Sequence, residues 1–145
     1  MDIKVALRLN HKSKQRRAVL FLDVTDVRAA VLRDELGSES LRLALLQTIW
    51  YESSRAGLEP ELVLGLIEVE SAFRKHAVSS AGAVGYMQIM PFWVRAIGDG
   101  DLSALLRTSS NLRYGCVILR HYLNSENGQL ALALGRYNGS RGQPE

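Results

Sequence analysis

Two glutamates, Glu68 and Glu70, stand near the end of a run in which Leu62, Val63, Leu64, Leu66, Ile67 and Val69 are all apolar. The run opens at Pro60 and reads PELVLGLIEVESAF, with proline where a first-turn residue belongs. A helix that is apolar nearly all round is buried in its domain. A carboxylate on such a helix is costly and calls for a partner or a chemical task. Residues three, four and seven apart share a face, which separates the two acids. Glu70 stacks behind Ile67, Leu66 and Val63 on an apolar strip, whereas Glu68 stacks behind Gly65, Leu64 and Glu61 on a strip expected to reach solvent. Apolar surroundings disfavour the charged form of Glu70, and so does the negative end of the helix dipole. Both effects hold a proton near neutral pH, the state a general acid needs. The structural use of the same side chain would be to cap a backbone group or to pair with an arginine.

The chain continues as RKHAVSSAGAVGYMQIMP, a loop whose Gly82 and Gly85 permit positive φ and close approach of a ligand. Gln88 in this loop both donates and accepts, which suits sugar hydroxyls and amides. In Glu70-Ser71-Ala72-Phe73, Ala77-Val78-Ser79 and Gly82-Ala83-Val84-Gly85-Tyr86-Met87-Gln88-Ile89-Met90-Pro91, the sequence resembles the soluble lytic transglycosylase catalytic domain. Members of that family are lysozyme-like enzymes that cleave bacterial peptidoglycan. The likeness runs from about Leu58 to Asn138; Asn111-Leu112-Arg113-Tyr114-Gly115 looks like the family's Asn-x-x-x-Gly helix and Tyr137-Asn138 like its Tyr-Asn pair. Three features depart from the pattern. Gly139-Ser140 replaces the usual Ala-Gly, Tyr86 replaces an aliphatic residue, and the chain stops at Glu145, before the family's tyrosine-bearing segment and closing helix. The expectation is therefore a domain truncated at its C-terminal end.

The resemblance implies a set of roles. Glu70 would be the single catalytic acid and base. Ser79, Gln88 and Met90 would contact sugar in the cleft, with Tyr137 holding a hydroxyl near the scissile bond and Asn138 beside it. Asn111 would be a structural hydrogen bonder. Most glycosidases pair two carboxylates; here Glu68 points away, and Asp99 and Asp101 lie in a helix-ending segment where capping explains them. The 2-acetamido group of the substrate can stand in for the missing nucleophile. In the implied reaction Glu70 protonates the leaving oxygen of the MurNAc-GlcNAc β-1,4 bond. Its carboxylate then takes the proton of the muramoyl 6-hydroxyl, closing a 1,6-anhydro ring without water. No cofactor is expected and no metal, since His11, His76 and His121 have no metal-like spacing. The alternatives are a hydrolytic goose-type lysozyme and a non-catalytic peptidoglycan-binding module.

The rest of the chain must position these residues. At 145 residues it has one domain's length, and 47% apolar with 23% charged residues is an ordinary globular composition. Segments 1–40 and 41–145 are read as an N-terminal accessory helical segment and the catalytic domain. In the first, Thr25 to Leu36 reads as a helix ended by Gly37, and Lys12, Lys14, Arg16 and Arg17 form a basic cluster on a solvated face. In the second, Leu41 to Ala56 forms a helix capped by Ser38 or Ser40 and stopped by Gly57. Leu41, Leu45 and Ile49, flanked by Leu43, Leu46 and Trp50, give it a wide apolar face. Pro91 opens a helix ended by Gly98 and Gly100, and Asp101 caps a short turn carrying Leu102, Leu105 and Leu106. Ser109 or Ser110 starts the next helix, with Leu112, Cys116, Leu119 and Leu123 at core spacing, and Leu130 to Arg136 forms the last. The fold class is mainly α: a lysozyme-like single helical domain with at most a small β-hairpin near residues 76–88.

A formal charge of +3 and a pI near 9.2 suit an anionic polymer, peptidoglycan and nucleic acid equally, and by themselves mean no more than a solvated basic surface. Peptidoglycan glycan strands are the expected partner, with no nucleic acid. No run reaches the roughly 20 apolar residues of a membrane span, and Ala18 to Leu22 is too short for a signal-peptide core. Because the substrate lies outside the inner membrane, a periplasmic or cell-envelope location is expected, with an export signal upstream of Met1.

Overall fold

A computed structural model describes residues 39–139. Five α-helices make up most of it: α1 Glu39–Arg55, α2 Pro60–Ser71, α3 Phe92–Ile97, α4 Thr108–Ser125 and α5 Leu130–Tyr137, with a 3-10 turn at Leu102–Leu106. The architecture is mainly helical, as the periodicity predicts. The expected hairpin is reduced to two isolated antiparallel bridges, Val78–Val84 and Val84–Ile89. The expected accessory helix at Thr25 to Leu36, the basic cluster and the residues after Gly139 lie outside the described residues.

Helix α1 begins earlier than expected, so Ser40 lies inside it and is not its cap. Its end follows from backbone hydrogen bonding. Leu58 N–H donates to Ser53 O at 2.8 Å and Gly57 N–H to Ser54 O at 3.1 Å, with Gly57 at φ +71°. This pair of bonds satisfies carbonyls left over by the helix, and the buried Leu58 pins the turn to the core. The apolar face of α1 is narrower than expected. Leu45, Leu46 and Ile49 are buried, whereas Leu41, Leu43 and Trp50 are exposed. The helix packs on α2 and α4 along one stripe, which a single i, i+4 row satisfies.

Helix α2 is the buried one. Leu62, Val63, Leu64, Leu66 and Ile67 are each at most 2% exposed. Pro60 occupies the first turn, as its missing N–H favours, and Ala72 ends the helix in the left-handed region at φ 51°. Helix α4 packs against α1, α5 and the 3-10 turn. Its apolar row Leu112, Cys116, Leu119 and Leu123 is buried as the spacing requires. Burial pushes the Cys116 thiol up to about 12, leaving it a core residue. Helix α4 starts at Thr108, one residue before the expected serines, with Arg107 at the cap position and no side-chain cap bond. Asp101 does cap the 3-10 turn, accepting from Ser103 N–H at 3.0 Å, though Leu105 rather than Leu102 or Leu106 is buried there.

The loop between α2 and α3 is held by one side chain of α4. Asn111, 1% exposed, accepts from Met87 N–H at 3.0 Å and donates to Val84 O at 2.9 Å and Leu105 O at 3.0 Å. This is the structural role expected of it. The approach is so close that a β-carbon on Gly85, at φ +81°, would collide with the Asn111 amide, and one on Gly115 would strike the Met87 side chain. Asn111→Ala strands the Met87 N–H and the Leu105 carbonyl, whereas Val84 O keeps its bond from Ile89 N–H at 2.9 Å. Each costs about 1–3 kcal/mol when unmet, so a loss of at least about 2 kcal/mol is expected in urea unfolding. An unchanged midpoint would show that Asn111 does not hold the loop.

Candidate active site

Glu70 is the penultimate residue of α2, where the helix emerges from the core into the loop. It is half-buried, and its Oε1 is shielded from water with no hydrogen-bond partner among the described residues. Burial pushes its carboxyl up to about 7. The apolar strip behind Glu70 is present: Val63, Leu66 and Ile67 are fully buried. The other strip differs from expectation. Glu61 is completely covered and Glu68 half-buried, so that side of α2 faces protein rather than solvent. An internal helix is covered on every side, and periodicity alone does not distinguish a polar strip that meets water from one that meets another part of the chain.

Glu70 opens onto a cavity of about 320 Å³. Ser79, Gln88, Met90, Tyr137 and Asn138 line the same cavity, so all the residues singled out from sequence come together. Their hydrogen bonds define what each can offer. Ser79 Oγ accepts from Ala83 N–H at 3.0 Å and Ser79 N–H donates to Ala83 O at 3.0 Å, closing a small turn. The hydroxyl proton of Ser79 is left to donate. Gln88, at φ +52°, donates through Nε2 to Ala77 O and Gly85 O, both at 3.0 Å. Its amide nitrogen therefore braces the loop, and its carbonyl oxygen is the group available to a ligand. Tyr137 donates its hydroxyl proton to Met87 O at 2.7 Å. Burial, and next the carboxylate of Glu70 nearby, hold that phenol well above the usual tyrosine range. It is a neutral hydroxyl on the cavity that Glu70 lines. Asn138 caps α5, its N–H donating to Leu134 O at 3.0 Å.

Residues that sequence reasoning missed complete the wall. Trp93 and Phe92 approach from α3, Tyr122 from α4 and Arg136 from α5. Trp93 and Tyr122 meet edge to face with centroids 6.0 Å apart, an arrangement aromatic rings favour. The Pro91-Phe92-Trp93 run was legible as a helix start, but not as a cavity wall, and Arg136 carried no signal beyond a basic last turn. Glu70 is the one carboxylate lining the cavity among the described residues. Asp99 and Asp101 are exposed and engaged locally: Asp99 Oδ1 accepts from Asp101 N–H at 2.9 Å, and Asp101 caps Ser103.

The sequence profile of the Transglycosylase SLT domain matches residues 47–144. The chain belongs to the Transglycosylase SLT domain family. Similar proteins include the membrane-bound lytic murein transglycosylase C of Actinobacillus pleuropneumoniae serotype 5b (strain L20), 41% identical over 46% of this chain and 20% of that protein. The protein of the same name in Glaesserella parasuis serovar 5 (strain SH0165) is 37% identical over 57% of this chain and 22% of its own length. The transglycosylase of Enterobacteria phage PRD1 is 31% identical over 67% of this chain and 35% of its own. The chain thus spans between a fifth and about a third of these curated relatives. Within the SLT domain the match covers α2, the loop and the Tyr137-Asn138 pair, all the elements that surround the cavity.

The raised carboxyl of Glu70 makes stability depend on pH with a defined sign. Its folded value of about 7 lies above the ordinary 4.5, so the folded chain holds this proton more tightly than the unfolded one. Stability is fully present below the ordinary value and is lost as pH rises through about 7. Glu70→Gln removes that dependence. The variant should melt like the parent near pH 4.5 and be more stable above neutrality, by on the order of 2–3 kcal/mol. Paired melting curves across that range check it; parallel profiles would place the carboxyl at an ordinary value.

Proposed function

We propose that this chain is a lytic transglycosylase that cleaves the MurNAc-GlcNAc β-1,4 bond of peptidoglycan and leaves a 1,6-anhydromuramoyl end. The observation that carries the reading is Glu70: a half-buried, protonatable carboxyl with no second acid among the described residues that line its cavity. A hydrolase of the usual kind needs two carboxylates across the bond. A single one suffices if the substrate provides the nucleophile. Glu70 then donates its proton to the leaving O4 of GlcNAc as the glycosidic C–O bond breaks, and the 2-acetamido oxygen bonds to C1. In the second step the Glu70 carboxylate takes the proton of the muramoyl 6-hydroxyl. That oxygen bonds to C1 and the acetamido oxygen leaves. The carboxyl is regenerated and no water is consumed. The donating Ser79 hydroxyl, the Gln88 carbonyl and the Tyr137 phenol support this reading as groups that would hold sugar hydroxyls and the acetamide. Met90 and Trp93 would flank the ring faces. The catalytic domain in this reading runs over residues 41–145 and works in the periplasm or cell envelope, where peptidoglycan is found.

Glu70→Gln keeps shape but cannot carry the proton. Anhydromuropeptide release should fall at least ~10²–10⁴-fold, the usual cost of removing a positioned acid–base. Glu68→Gln, off the cavity, should keep most of the activity. Mass spectrometry of digested peptidoglycan reads both variants and the product type. Reducing muramic ends would instead indicate hydrolysis, and binding without any product would indicate a non-catalytic module.

A further inference from the structure

One group on the cavity has no part in that chemistry. Arg136, in the last turn of α5, lines it together with Glu70. Its Nε–H donates to Oε1 of Glu126, a carboxylate only 9% exposed in the turn after α4. The terminal nitrogens, with four N–H groups, have no other partner among the described residues. The Arg136 side chain is 45% exposed, so the fork is anchored at one edge and open at the other. Neutral sugar hydroxyls do not call for a cation. Nor does a general acid that must keep its proton, since a nearby positive charge favours the ionised form. A fixed guanidinium fork does match a carboxylate, which it binds through paired charge-assisted hydrogen bonds. The second described arginine braced on a buried glutamate, Arg113 on Glu52 at 2.9 Å, lies on a different cavity that Glu70 does not line.

We propose that Arg136, anchored by Glu126, forms a carboxylate subsite of the Glu70 cavity and selects glycan that carries acid groups over neutral glycan. This rests on the reading of the cavity as a peptidoglycan cleft and extends it to the substrate's charge. The carboxylate has two sources: the free lactyl group of a peptide-stripped muramoyl residue, or the peptide stem attached to that group. The turn that presents Glu126 supports a fixed geometry. Gly128 N–H donates to Leu123 O at 2.7 Å and Asn127 N–H to Asn124 O at 3.3 Å, closing the end of α4 directly beside the anchor.

The test measures binding by calorimetry in a Glu70→Gln background, so that no probe is consumed. The probes are a GlcNAc-MurNAc tetrasaccharide with peptide stems, the same tetrasaccharide without stems, and neutral chitotetraose. Arg136→Gln should weaken at least one acidic probe by about tenfold or more, the usual scale of a lost charge-assisted hydrogen bond, and leave chitotetraose unchanged. Which acidic probe responds identifies the source of the carboxylate. The double variant Glu126→Gln with Arg136→Gln leaves no unpaired buried charge and should show the same selectivity if the single variant folds poorly. Arg113→Gln is the control and should not discriminate among the probes. Equal weakening of all three probes, or no weakening of either acidic one, overturns the proposal. Selective binding in this background, together with no anhydro product from the Glu70-bearing chain, would retire the transglycosylase reading and leave the carboxylate subsite standing.

Discussion

The Asn111 amide is the point on which the site's geometry depends. One side chain from the middle of the core reaches three backbone groups, two in the loop after α2 and one at the end of the 3-10 turn. The loop's own bonds include its isolated bridges and the Gln88 brace, and the Asn111 amide is what ties residues 84–87 to α4 and the 3-10 turn. The consequences run outward. Holding Met87 N–H orients the Met87 carbonyl that receives the Tyr137 proton, and so ties α5 to the loop. It also sets the turn from which Gln88 doubles back on Ala77 and Gly85. A fully satisfied buried polar group of this kind specifies one arrangement, because every alternative leaves a donor or acceptor unmet.

The buried acids of the domain fall into contrasting settings. Glu52 and Glu126 are matched by Arg113 and Arg136, the usual solution to a carboxylate out of water. Glu70 has no basic partner among the described hydrogen bonds and ion pairs; burial instead raises its carboxyl to about 7. The difference is one of position. Glu70 is at the C-terminal end of an apolar helix, where both the low-polarity surround and the helix dipole act against the negative form. The same physics that makes it costly for stability makes it suited to proton transfer.

The helices supply rigidity where loops alone would not. Helix α2 brings the acid from the core, α3 and α4 bring Trp93 and Tyr122, and α5 brings Tyr137 and Arg136. Each is clamped by buried residues close by, with Val94 next to Trp93, Leu119 one turn before Tyr122, and Ala133 and Leu134 one turn before Tyr137. Side chains on packed helices hold position better than side chains on free loops. The SLT family match extends across these same elements, from α1 to beyond α5.

Much of this was decided locally and could be read from the chain. The period of Pro60 to Ser71 dictates a buried helix, Gly57 ends α1, Asp101 caps its turn, and the placing of Glu70 on an apolar strip follows from helical geometry. These are near-neighbour effects, in which residues within about one or two turns determine the outcome. What could not be read was decided by contacts between distant segments. Leu41, Leu43 and Trp50 have the same chemistry as Leu45 and Ile49, and only the width of the α2 and α4 surfaces determines which are covered. Glu61 looked solvent-facing because helical spacing says which residues share a face but not what that face meets. The Gln88 amide turned inward and Arg136 joined the cavity through bonds spanning 11 and 10 residues, to Ala77 and Glu126. The residue types and local periods thus determined which groups could do chemistry; the tertiary structure decided which of their donors and acceptors remain free to do it.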